Sequence, residues 1–102
     1  VVCSNGKSLR KAIAGDPKLD DFHLQVTEQK RQGRPHGWAK VHSTLPDRNG
    51  ALNIEWHANT STLLGRVVTR GNGKPNQLIG DFVDYLLRRH RKRIQAINVI
   101  PR

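Results

Sequence analysis

The stretch Asn76-Gln77-Leu78-Ile79-Gly80-Asp81-Phe82-Val83-Asp84-Tyr85-Leu86-Leu87-Arg88-Arg89-His90-Arg91-Lys92-Arg93 decides the architecture. Leu78, Ile79, Phe82, Tyr85 and Leu86 recur at helical spacing and form one apolar stripe. Asn76 offers an N-cap, and Asp81 lies near the positive end of the helix dipole. The spacing predicts an amphipathic helix running to about Arg93. A single stripe needs one partner layer, and the residues upstream supply it.

Immediately before the helix, Gly71-Asn72-Gly73-Lys74-Pro75 superficially resembles a phosphate loop. It lacks the Gly-Lys-Ser/Thr ending and the right spacing, and Pro75 removes an amide, so it reads as a turn. Leu63 to Arg70 is rich in apolar and β-branched residues and reads as a strand. Leu52 to Ala58 alternates, with Leu52, Ile54, Trp56 and Ala58 on one face and Asn53, Glu55 and His57 on the other. Phe22 to Thr27 and Trp38 to Ser43 alternate in the same way across the turn Lys30-Arg31-Gln32-Gly33-Arg34-Pro35-His36-Gly37. Asn49-Gly50 marks the connection between the two hairpins. Ser8 to Gly15 reads as a short helix, capped by Ser8 and stopped by Gly15.

The expected fold is α+β: a four-stranded antiparallel sheet of two hairpins, then one long amphipathic helix, preceded by a short N-terminal helix. The 102 residues form a single β-β-β-β-α domain, with 1–20 weakly structured and 94–102 a tail that extends the helix or adds a short strand. One helix covers one face of such a sheet. Phe22, Leu24, Val26, Ala39, Val41, Leu52, Ile54, Trp56, Leu63 and Val67 belong under the helix. His23, Gln25, Thr27, Trp38, Lys40, His42, Asn53, Glu55, His57, Arg66 and Arg70 fall on the face left open.

Composition narrows the partner. No run of 18 apolar residues is present, which excludes a spanning helix, and the lone Cys3 excludes a disulfide scaffold. Val1-Val2-Cys3 runs into Ser4-Asn5-Gly6-Lys7, which does not form a secretory apolar segment, and the absence of Met suggests a trimmed chain or fragment. The net charge is +10, from 18 Lys and Arg against 8 Asp and Glu. It is not spread evenly. Residues 30–51 carry Lys30, Arg31, Arg34, Lys40 and Arg48 against Asp47, and residues 88–102 carry Arg88, Arg89, Arg91, Lys92, Arg93 and Arg102 against no acid; elsewhere the charges cancel. Two Arg-rich blocks favour a polyanion, because the guanidinium offers a planar fork to phosphate and stacks on rings.

An aromatic ring among cations on an open sheet is the composition of a stacking platform for unpaired bases. Trp38 would stack a base, with Lys30, Arg31, Arg34, Lys40, Arg66 and Arg70 on phosphates, His42 and His57 beside them, and Arg88, Arg89, Arg91, Lys92 and Arg93 extending the path. Alternatively Trp38 packs at a subunit interface or over the basic loop. A ribonuclease without metal would use His42 and His57 as base and acid, with Lys40 for the phosphorane charge. A third reading is an adaptor whose basic tail binds an acidic protein. One Cys and five separated His match no metal-ligand spacing, so neither metal nor cofactor is expected.

The strand order ending in one long helix resembles the four-strands-then-helix unit of the PUR-alpha, Whirly and positive-cofactor-four group of single-strand binders. The matching segments are Phe22 to Ser43, Leu52 to Arg70 and Asn76 to Arg93. The resemblance is topological: no residue motif of those families, including the Lys-rich Whirly signature, is present, and no site residue is carried over. It implies a homodimer formed by helix and sheet exchange, with single-stranded DNA or RNA lying across the exposed sheet faces. The expected setting is cytoplasmic or nucleoid-associated, away from membranes.

Overall fold

A computed structural model describes residues 1–46, 50–69 and 75–100. The chain is α+β, with both α-helices on one side of a single antiparallel sheet. The strands are β1 (Val2–Cys3), β2 (Leu24–Glu28), β3 (Trp38–Ser43), β4 (Ala51–His57), β5 (Thr62–Val68) and β6 (Ile94–Ala96). The helices are α1 (Leu9–Ala14) and α2 (Pro75–Arg89). Among the described residues the sheet has six strands in the order β2-β3-β4-β5-β1-β6, not the four expected.

One additional strand comes from the N-terminal segment expected to be weakly structured, and the other from the tail, which adds a short strand rather than extending the helix. Val2 pairs with Thr62 of β5 on one side and Ala96 of β6 on the other, so β1 is the wedge that joins β6 to the sheet. Strands of two and three residues are too short to show alternation. Pairing by their neighbours, rather than their own pattern, holds them: Cys3 N–H donates to Ser61 O at 2.8 Å and Leu63 N–H to Val1 O at 2.8 Å.

The central hairpins follow the alternation. Val41 pairs with Leu52 and Leu52 with Val67, which puts these three in one cross-strand row under the helices. Leu24, Ala39, Val41, Leu52, Ile54 and Leu63 join Leu9 and Ile13 of α1 and Leu78, Phe82, Tyr85 and Leu86 of α2 in one core. Each Leu, Ile, Val or Phe side chain so removed from water contributes about 1.5–3 kcal/mol. At the inward position 65 of β5 the residue is glycine, and a Cβ there would come within 3.3 Å of Leu52 Cδ1.

Three local expectations are corrected. Phe22 lies in a 3-10 turn (Leu19–Phe22) rather than in β2, where its ring meets Tyr85 edge-on at 5.3 Å. Ala58 starts a second 3-10 turn and is exposed. The long helix starts at Pro75, whose missing N–H costs nothing in the first turn. It ends at Arg89, after which Arg91–Arg93 tighten into a 3-10 turn that feeds β6. Arg70 and Gly71 to Lys74 lie outside the described residues.

Candidate nucleic-acid interface

Alternation along the central strands leaves one face uncovered by helices. The strand register runs Glu28 to Lys40, Lys40 to Asn53, and Asn53 to Arg66, so four residues from β2, β3, β4 and β5 form one row across that face. Lys40 and Arg66 flank the Asn53 amide, and neighbouring strands lie about 4.8 Å apart. Arg66 is exposed and Lys40 half-buried. The Asn53 Oδ1 is buried and has no hydrogen-bond partner among the described residues.

The adjacent row holds Trp38, Glu55 and Leu64. Trp38 is on the open face, as expected, yet it is 0% exposed. The loop between β2 and β3 folds back over it: the Arg31 and Arg34 guanidinium carbons lie 5.4 and 5.3 Å from the indole centroid. Each stack contributes about 0.5–2 kcal/mol. Trp38 thus packs over the basic loop, and its face is not free for a base while the loop is in this position. Its indole Nε1 is buried without a partner among the described residues, a loss of about 1–3 kcal/mol.

The loop is held at both ends. Arg31 grips Glu28 through two bonds, Nε to Oε2 at 2.9 Å and Nη2 to Oε1 at 2.6 Å, which holds the Glu28 carboxyl below its usual range. Arg10 of α1, buried on the helix side, donates from Nη1 to Gln29 Oε1 at 3.0 Å at the loop's root. At the far end Gly37 O accepts from Trp56 N–H at 2.9 Å, and a Cβ on Gly37 would meet Trp56 O at 2.5 Å. Between these anchors residues 30–36 are exposed.

The two histidines of the ribonuclease reading share the open face but are not brought together. Trp38 pairs with Glu55 and Val41 with Leu52. Continuing that register, His42 and His57 are offset by six residues along the strands, about 20 Å, too far to serve one phosphate. His42 shares a 2.8 Å hydrogen bond through Nδ1 with the Thr27 hydroxyl. Burial, then the neighbouring Lys40 cation, push its pKa below the ordinary value despite Glu28 and so favour the neutral ring. His57 lies 3.4 Å from the Glu55 carboxylate.

Two cations of the second basic block, Arg89 and Arg93, are held by other parts of the fold. Arg88 pairs with Asp84 at 3.1 Å. Arg89 forks onto Asp16, Nε to Oδ2 at 3.0 Å and Nη2 to Oδ1 at 2.9 Å. The buried Asp16 also accepts from the Tyr85 hydroxyl at 2.8 Å and the Lys18 N–H at 2.9 Å. The Arg89 bonds, first among these, hold its carboxyl far below the usual range. Tyr85 has one proton and gives it to Asp16, so the 2.9 Å contact to His90 makes His90 the donor through Nε2–H. Arg93 stacks on Trp56 at 5.8 Å and bonds to the Lys7 carbonyl. Arg91 and Lys92 are exposed.

Glu28, Arg10, Gln29 and Asn53 therefore belong to the site although charge counting passed over them. Glu28 was legible as an i,i+3 partner of Arg31; the orphaned Asn53 amide needed the register. Among the described residues no cluster of His, Cys, Asp or Glu could hold a metal, and no helix is long and apolar enough to cross a membrane. No protein-family model, curated protein or solved structure matches the chain.

Proposed function

We propose that this chain is a nucleic-acid-binding module, preferring single strands, whose interface is the uncovered sheet face together with the β2–β3 loop. One observation carries the reading: Arg31, Arg34, Lys40 and Arg66 gather at the face that no helix covers, whereas at the helix end Arg89 and Arg93 are held by other parts of the fold. Lys30, Arg31, Arg34, Lys40 and Arg66 take phosphates, and Asn53 lies between two of them. Arg91 and Lys92 add at most a flank.

Binding of this kind releases counterions, so affinity for a fluorescent single-stranded oligonucleotide falls steeply with salt, with a slope of about −0.7 per phosphate contact. Anisotropy titrations between low and physiological salt test it. An affinity that is absent at low salt, or indifferent to salt, rejects the function.

A further inference from the structure

We infer that Trp38 and Asn53 form a base-reading subsite that the β2–β3 loop occupies with mimics of a nucleotide, so that an unpaired base and its phosphate must displace the loop to bind. The inference rests on the proposed function and deepens it. A polyanion alone would be satisfied by exposed cations. The open face holds something further: an indole with a planar cation on its ring, a buried indole N–H with no acceptor, and a buried amide oxygen with no donor, all among the described residues. Trp38 pairs with Glu55, two residues along β4 from Asn53, so the two orphaned groups are diagonal neighbours.

The closed loop supplies what a nucleotide would. Planar guanidinium groups of Arg31 and Arg34 stand where a base would stack. The Glu28 carboxylate fills the Arg31 fork as a phosphate would. The substitution is incomplete, because the loop satisfies neither Trp38 Nε1 nor Asn53 Oδ1. An unpaired base offers a ring face with donor and acceptor edges together, whereas the bases of a duplex are already stacked and paired. Exchange moves Arg31 from Glu28 to a phosphate and replaces guanidinium on the indole by a base. No covalent step is involved. Gly33, at φ +83°, makes the loop's turn in a backbone conformation that favours glycine.

The test uses the full chain and three probes: a 12-nucleotide single strand of mixed sequence, the same sequence as a duplex, and inorganic polyphosphate of equal phosphate number. In Trp56→Phe, Trp38 is the sole indole. The single strand is expected to quench its emission more strongly than polyphosphate, which engages Arg31 and Arg34 but has no base to stack on the indole. Trp38→Leu is expected to weaken the single strand about fivefold or more and polyphosphate less than twofold, with Trp38→Phe restoring most of the loss. Glu28→Gln, which frees Arg31, is expected to tighten the single strand about threefold or more. Should Trp56→Phe not fold, the two indole N–H resonances of the unmodified chain report the same event, assigned with Trp38→Phe. Single-strand binding with an unmoved Trp38 signal, or equal losses for both polyanions in Trp38→Leu, overturns the subsite and leaves the proposed function standing. Failure of all three probes to bind removes both.

Discussion

Trp38 and Trp56 lie on opposite faces of one sheet, and each is capped by arginine from a different basic block. The caps differ in what else holds them. Arg93, over Trp56, is also bonded to the Lys7 carbonyl, and its neighbour Arg89 is forked onto the buried Asp16. Arg31 and Arg34, over Trp38, belong to a loop that is exposed from residue 30 to 36, and the only acid engaging them among the described residues is Glu28. The two basic blocks therefore differ in what holds their cations as well as in their charge. Arg89 and Arg93 at the helix end fasten the fold, whereas Arg31 and Arg34 sit in an exposed loop over the open face.

The largest expected effect breaks the structural end. Asp16→Ala removes a buried carboxylate that accepts from Tyr85, Lys18 and Arg89. It should cost about 3 kcal/mol, seen as a melting temperature lower by roughly 10–20 °C, with oligonucleotide affinity unchanged below the melt. Next, Lys40→Ala with Arg66→Ala should weaken the single strand about tenfold at low salt and move stability by less than about 0.5 kcal/mol. If it unfolds the protein instead, the division between the two ends fails.

A smaller effect follows pH. Burial, more than the charges of Arg93 and Arg89, lowers the His90 pKa although Asp16 pulls it up, and burial likewise lowers that of His42. In the unfolded chain both titrate near the usual 6.5, so below that pH the unfolded state binds more protons and stability falls as pH drops. Urea midpoints from pH 7.5 to 5 should decline, less so in His90→Gln; a flat profile contradicts the burial. The smallest effect sharpens the comparison: Arg91→Ala with Lys92→Ala should reduce affinity less than threefold.

Much of this division was readable from residues, and the reasons for the remainder are physical. The alternation of Leu52, Ile54 and Trp56 and the stripe Leu78, Phe82, Tyr85 and Leu86 assigned the buried face, because burial is set by side-chain period. The strands Val2–Cys3 and Ile94–Ala96 have no period of their own and exist through their partners. Lys40, Asn53 and Arg66 could be put on the open face, but only register shows them in one row. Register likewise separates His42 from His57, which composition alone had allowed to meet. The cover over Trp38 depends on a loop path, and no periodicity specifies that.

The most direct measurement is the salt dependence of single-strand affinity in the unmodified chain and in the Lys40→Ala, Arg66→Ala double variant. The unmodified chain should show a steep negative slope of log K against log salt, and the double variant a slope shallower by about 1.4, two contacts at about 0.7 each. An unchanged slope in that variant, with the loss appearing in Arg91→Ala, Lys92→Ala instead, would place the interface at the helix end and contradict the account.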